Sequence, residues 1–65
     1  MPLKMALFQL LSELEYSGQL TIRSIQISPS FKLKAIEYAI KHGLVTCHGT
    51  TIQITDRGLE FYNSF

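Results

Sequence analysis

The sequence predicts one mainly helical domain that carries a small antiparallel β-hairpin. Three observations indicate this fold class. Leucines recur at helical spacing over the first 14 residues, a glycine at position 43 follows a second long amphipathic segment, and two short alternating segments flank Gly49-Thr50. With 65 residues, 46% of them hydrophobic and 17% charged, we expect a single domain over residues 1–65 with a thin core.

The first helix is predicted from two adjacent apolar rows. Pro2 suits a first helical turn, and the helix is expected to end near Ser17-Gly18. The first row comprises Leu3, Leu7, Leu10, Leu11 and Leu14. The second row comprises Met1, Met5 and Phe8. An apolar surface this wide needs two partners, and either the domain folds around both rows or one row meets another subunit.

Short segments are predicted between the first helix and the next long one. Residues 19–22 form a short strand or extended segment, and residues 24–26 form a brief helical turn. Ser28 and Pro29 then begin the third helix, because the hydroxyl can accept from the first free amides and proline is preset for the first turn. This helix is predicted to run to about His42.

The third helix is predicted to bury one side and expose the other. Gly43 ends it with a left-handed cap, after which Leu44 packs back. The side predicted to face the core contains Leu33, Ile36 and Ile40, with Ala39 close to that stripe. The side predicted to face outward contains Ser30, Phe31, Lys34, Ala35, Tyr38 and Lys41. In the alternative interpretation, Phe31 and Tyr38 cover neighbouring apolar surface and the lysines only solvate the helix.

A hairpin and a last helix complete the predicted fold. Residues 45–54 alternate in polarity around a short tip near Gly49. Thr55 can cap the last helix through its hydroxyl, and Asp56 favours the positive helix end. The aromatic tail, 61–65, is expected to pack against the first helix of its own chain or of a second copy.

Positive charge is concentrated in the middle of the chain. The net charge is only +1. Residues 21–48 carry four Lys and Arg residues against the single Glu37, for a net +3, and the segments on either side each carry −1. Such a central patch either binds a polyanion or is a solvated face.

Catalysis, metal binding and cofactor binding are not expected. Cys47 and His48 are neighbours on a predicted strand, so their side chains face opposite sides. No zinc-ligand spacing or glycine-rich phosphate loop is present. One cysteine permits no internal disulfide, so stability must come from packing or from a second subunit. Without a signal peptide or a long apolar run, we expect a cytoplasmic protein.

Several short motifs resemble one family. Leu20-Thr21-Ile22, Ser28-Pro29-Ser30, His42-Gly43-Leu44-Val45 and Ile54-Thr55-Asp56-Arg57-Gly58 are similar to segments of the small winged helix-turn-helix transcriptional regulators of archaea and their viruses and plasmids. Members often place "GLV" after the recognition helix and an "LTxKG"-like step after the wing. The resemblance implies a DNA-binding helix at Pro29 to Lys41, a wing near Cys47 to Thr51, and a homodimer. The second helix of that family is about a turn longer than residues 24–27 allow.

We therefore expect a dimeric DNA-binding protein that regulates transcription. Helix 29–42 would enter the major groove, and hairpin 45–54 would act as the wing. Because this helix carries lysines but no arginine, backbone contacts and groove shape are expected to dominate recognition. The expected DNA contacts are Arg23, Ser30, Lys32, Lys34, Tyr38, Lys41, His48 and Thr50. The expected dimer contacts are Met1, Met5, Phe8, Phe61, Tyr62 and Phe65. The alternative is a winged helix used for protein assembly without DNA.

Overall fold

The computed structural model describes residues 3–64 and confirms a mainly helical chain with a small antiparallel sheet. Within these residues the helices are α1 (Leu3–Ser17), α2 (Pro29–Lys41) and α3 (Asp56–Asn63), and a 3₁₀ turn spans Ile22–Ser24. The strands are β1 (Gln19–Thr21), β2 (Val45–His48) and β3 (Thr51–Ile54). The predicted hairpin is confirmed, and β1 joins it as a third strand in the order β1-β3-β2.

Helix α1 provides the largest part of the core. Its inward side is fully covered, and the buried residues are Ala6, Leu7, Leu10, Leu11 and Leu14. The predicted leucine row is confirmed except for Leu3, which lies at the exposed end of the helix. The predicted end near Ser17-Gly18 is also confirmed, since the Gly18 amide closes the last turn on the Leu14 carbonyl at 2.7 Å.

Strand β3 lies at the centre of the sheet and connects the two halves of the chain. It pairs antiparallel with β1 on one side and with β2 on the other. Ile52 stands opposite both Leu20 and Cys47 and is fully buried. Positions 20 and 52 are therefore held in register on the two strands that contact α1.

The helical turn predicted at residues 24–26 is present but begins two residues earlier, so its predicted position is wrong. The chain forms a 3₁₀ turn over Ile22–Ser24 and then runs extended. Extended backbone allows Ile25 and Ile27, two residues apart, to be buried on the same side. The Gln9 side-chain amide and the Glu13 carboxylate bind the backbone of Gln26 at 2.9 and 3.4 Å, which fastens this segment to α1.

Helix α2 is rotated about its axis relative to the predicted orientation. Ala35, Ile36 and Ala39 are buried, and Phe31 and Tyr38 pack against the core. Leu33 and Ile40, predicted to face inward, are 62% and 44% exposed. The assignments of Phe31, Ala35 and Tyr38 to the outward side are therefore wrong. The physical reason is that α2 lies against α1, and close helix contact favours the two alanines over the larger side chains.

The start of α2 also differs in detail from the prediction. Ser28 occupies the N-cap position, but its side chain makes no capping hydrogen bond. Its backbone carbonyl instead accepts from the amides of Phe31 and Lys32, each at 2.9 Å. Pro29 stands at the first helical position, as predicted.

The end of α2 forms the predicted left-handed cap. Gly43 has a φ of +71°, its amide donates to the Ile40 carbonyl at 3.1 Å, and the Leu44 amide donates to the Ala39 carbonyl at 2.8 Å. This pair of bonds is the Schellman motif, and Leu44 is buried immediately after it. The direction of the chain leaving α2 and entering β2 is set by this cap.

Helix α3 closes the domain over α1. Thr55 caps it as predicted, since its hydroxyl accepts from the Gly58 amide at 3.0 Å. The rings of Phe8 and Tyr62 lie 5.1 Å apart between centroids, so the tail packs on the first helix of its own chain. Met1, Pro2 and Phe65 lie outside the described residues. Among residues 3–64, no helix is long and apolar enough to cross a bilayer.

Candidate nucleic-acid interface

The outward side of α2 carries only part of the predicted contact set. Three of the predicted residues are exposed there: Ser30, Lys34 and Lys41. The structure also exposes Leu33, Glu37 and Ile40 on this side, and the sequence-based assignment did not place them there. We call these six residues the α2 outer face. It is a mixed surface, with an acidic residue between two lysines and two aliphatic side chains beside them.

Spacing along α2 sets the charge pattern of this face. Lys34 and Lys41 are seven residues, or about two turns and ~10 Å, apart on one side of the helix. Glu37 stands three residues after Lys34 and four before Lys41, so it is a helical neighbour of both. A polyanion placed along this face would meet two cations and one anion, Glu37.

Tyr38 belongs to the inward side of α2. Its ring packs against the core cluster and faces His42 one turn later, with 4.2 Å between ring centroids. It also lines an apolar groove of about 290 Å³ with Leu3, Leu7 and Phe61. Tyr38 therefore covers apolar surface, and only part of its side chain is left for a contact with DNA.

Lys32 acts as a tether within the domain. Its ammonium group donates to the backbone carbonyl of Ile22 at 3.2 Å, in a part-buried position. This bond joins the start of α2 to the 3₁₀ turn. The ammonium group consequently lies beside the peptide group that joins Ile22 to Arg23, although Lys32 and Arg23 are nine positions apart in sequence.

Arg23 and Thr50 lie together at the tip of the hairpin. The Ile22 amide donates to the Thr50 carbonyl at 2.9 Å, which attaches the 3₁₀ turn to the hairpin tip. Arg23 and Thr50 line a notch of about 450 Å³ together with Thr21 and Ile22. Two predicted contact residues from distant parts of the sequence are thereby brought to one place.

The hairpin itself is short and carries little charge. His48 pairs with Thr51 at the end of the ladder, so only Gly49 and Thr50 form the tip, and His48 and Thr50 are exposed. Residues 45–54 include no Lys or Arg. Any cation that this end of the molecule presents to a ligand must come from a neighbouring element.

The described residues offer no grouping suited to metal chemistry. Within residues 3–64, no cluster of three His, Cys, Asp or Glu side chains is placed to hold a metal ion. Cys47 is exposed as a free thiol, and its sulfur lies 3.3 Å from the carbonyl oxygen of Gly49.

Sequence reasoning missed the outward position of Leu33 and Ile40 because it ranked side chains by hydrophobicity alone. A signal was available in Ala35 and Ala39, two small residues four apart, which share one helix face. Small residues at that spacing permit a neighbouring helix to approach closely. Once Ala35 is assigned inward, Leu33 and Ile40 fall on the opposite half of the helix.

Comparisons of the chain with protein-family models, with curated proteins and with solved structures find no match.

Proposed function

We propose that this chain is a winged helix DNA-binding protein that regulates transcription, with α2 entering the major groove and the β2–β3 hairpin acting as the wing. The order of elements and the β1-β3-β2 sheet suit that fold, with the 3₁₀ turn replacing the usual second helix. The observation that carries the proposal is the exposure of Arg23, Lys34 and Lys41 on the positively charged segment 21–48.

The dimensions of α2 suit a major groove. The helix has 13 residues, about 20 Å of axis, and a groove about 12 Å wide admits a helix along its floor. Lys34 and Lys41 can each neutralise a phosphate, and Ser30 can donate a hydrogen bond to another. Glu37 opposes this attraction, so modest affinity that falls as the salt concentration rises is expected.

The proposal predicts opposite effects from two substitutions that are three residues apart. Lys34→Gln removes a cation from the α2 outer face and should weaken binding to a random-sequence duplex. Glu37→Gln removes an anion from the same face and should strengthen binding. Fluorescence anisotropy of a labelled duplex, titrated with each purified full-length variant at several salt concentrations, measures both effects.

Glu15→Gln is the matched control, because Glu15 is an exposed carboxylate on α1 and its removal changes the net charge by the same amount. Equal effects of Glu15→Gln and Glu37→Gln would mean that net charge alone governs binding. That result, or wild-type protein that shows no salt-dependent binding, contradicts the proposal.

One observation favours a second function, which is docking to another protein. Leu33 and Ile40 are seven residues apart on the exposed side of α2, so they form an aliphatic strip beside the lysines. Such a strip suits an apolar partner surface, whose binding changes little with salt, unlike phosphate contacts. If the wild-type protein does not bind duplex DNA at low salt, that result would favour this second function.

We also propose a homodimer in which the paired surface is formed by α1 and α3. On α1, Met5 is 58% exposed and Phe8 is 37% exposed, and the Phe8 ring contacts the half-buried Tyr62 of α3. A second apolar feature of α1 and α3 is the groove lined in part by Leu3 and Phe61. Two copies related by a two-fold axis would cover this surface and present two α2 helices to successive turns of a duplex.

A further inference from the structure

The hairpin tip lacks the cation that a wing needs to hold a nucleic-acid backbone. Its two tip residues are Gly49 and Thr50, and residues 45–54 hold no Lys or Arg. A phosphate near the tip would nevertheless meet positive charge, because Arg23 lines the notch beside Thr50. This positive charge belongs to the 3₁₀ turn, which contains Arg23, and not to the hairpin.

The position of Arg23 is set by hydrogen bonds to both backbone groups of the preceding residue, Ile22. The Ile22 amide donates to the Thr50 carbonyl at 2.9 Å, and the Ile22 carbonyl accepts from the Lys32 ammonium at 3.2 Å. The hairpin tip and the start of α2 are thus both joined to the residue that precedes Arg23. This arrangement fixes the backbone at Arg23 relative to Thr50 and Lys32.

The chemistry of the notch suits a phosphodiester. Arg23 is exposed. Its guanidinium makes no hydrogen bond or ion pair with another residue of the described range 3–64. A guanidinium presents a planar set of donors that matches two phosphate oxygens. The Thr50 hydroxyl adds a neutral donor, whereas the Thr21 hydroxyl is already paired with Ser24 at 2.9 Å.

We propose that the notch lined by Thr21, Ile22, Arg23 and Thr50 binds one backbone phosphate of a nucleic-acid duplex, with Arg23 supplying the cation that the hairpin lacks. This inference rests on the proposed function and adds to it a second anchoring point, distinct from the α2 outer face. Lys32 has a positioning role here, through the carbonyl of Ile22.

The test compares Arg23→Gln with Arg57→Gln in the full chain by duplex anisotropy across a salt series. Arg57 is also exposed, but it follows β3 at the end of the hairpin opposite the tip, so the two variants lose the same charge in different places. Each phosphate contact adds about 0.9 to the slope of log affinity against log salt. Arg23→Gln should therefore flatten the slope by about one, and Arg57→Gln should leave it near the wild-type value.

Two further variants separate charge from shape at the notch. Arg23→Lys keeps the positive charge and should retain the wild-type slope with weaker binding, because lysine lacks the paired donors. Thr50→Val removes only the hydroxyl and should lower affinity by about threefold with no change in slope. Thermal melts of every variant, followed by circular dichroism, should match the wild type because these side chains are exposed.

The outcomes distinguish the two proposals. Wild-type protein that binds with a salt-dependent slope, combined with Arg23→Gln and Arg57→Gln variants that behave alike, overturns the phosphate notch and leaves the proposed function standing. Wild-type protein that fails to bind duplex DNA at low salt overturns both. A slope that flattens for Arg23→Gln alone supports the notch.

Discussion

At the scale of single residues, the junction between α2 and α3 depends on Thr55 and Gly58. The Thr55 amide donates to the Leu44 carbonyl at 3.0 Å, and its hydroxyl oxygen lies 2.7 and 2.9 Å from the carbonyl oxygens of Gly43 and Leu44. The same hydroxyl accepts from the Gly58 amide. One side chain therefore caps α3 and holds it against the turn that ends α2.

Gly43 and Gly58 are required for different physical reasons. At Gly43 the backbone adopts a φ of +71°, and a Cβ would have room, with its nearest neighbour the Arg57 side chain at 3.7 Å. At Gly58 a Cβ would overlap the carbonyl oxygen of Leu44 and lie 2.8 Å from Cγ1 of Ile54. Glycine is therefore required at position 43 by the backbone conformation and at position 58 by the lack of space for a Cβ atom.

We predict that Gly58→Ala destabilises the domain by about 1–3 kcal/mol, the usual cost of overpacking. The loss should occur although alanine is the better helix former by about 1 kcal/mol. For a domain of this size, each kcal/mol lowers the midpoint of thermal unfolding by about 4–8 °C. Glu60→Ala, at an exposed position of α3, is the control and should leave the midpoint nearly unchanged. An unchanged midpoint for Gly58→Ala would contradict the close approach of α3 to Leu44.

At the scale of elements, the rotation of α2 decides which side chains a ligand can reach. Ala35 and Ala39 are fully buried in the core, whereas Leu33 and Ile40 are exposed. The same rotation leaves Tyr38 half-buried, whereas Lys34 and Lys41 stay exposed. The packing of α2 thus leaves its lysines more accessible to a ligand than Tyr38.

A matched pair of isoleucines on α2 tests this orientation. Ile36 is 5% exposed and Ile40 44% exposed. Ile36→Ala should cost about 2–5 kcal/mol through lost burial and a residual cavity, and Ile40→Ala should cost less than about 1 kcal/mol. Urea unfolding of the two variants measures both values. Equal costs, or a larger cost for Ile40→Ala, would restore the orientation expected from the sequence.

At the scale of the whole molecule, the proposed dimer combines a small core with a partly open apolar face. A 65-residue chain buries only about 60% of its unfolded surface. It also holds a single, exposed cysteine. Covering the α1–α3 face with a second copy would add burial where Met5 and Phe8 are exposed, and would give two α2 helices a fixed separation.

We predict that light scattering gives a mass near twice the 7.4 kDa of one chain and that Met5→Asp halves it. An aspartate early in α1 suits the positive end of the helix, so the folded monomer should persist. Leu33→Asp is the control, because Leu33 is similarly exposed but lies on the α2 outer face. A wild-type mass of one chain, or dissociation by Leu33→Asp instead of Met5→Asp, would count against this dimer.

The sequence by itself determined the features that depend on local rules. Leucine spacing specified α1, Gly43 specified the end of α2, and Thr55 specified the start of α3, because periodicity and capping act within a few residues. The two-residue tip at Gly49-Thr50 likewise located the hairpin.

Only the tertiary structure decided how these elements face one another. The rotation of α2 follows from its close packing against α1, because small alanines fit that contact better than the larger leucine and isoleucine side chains. The meeting of Arg23 with Thr50 requires β1 to pair with β3, a contact between residues about 30 positions apart in the chain. Local pattern cannot specify such a pairing, because its free energy comes from surfaces that exist only once the chain has folded.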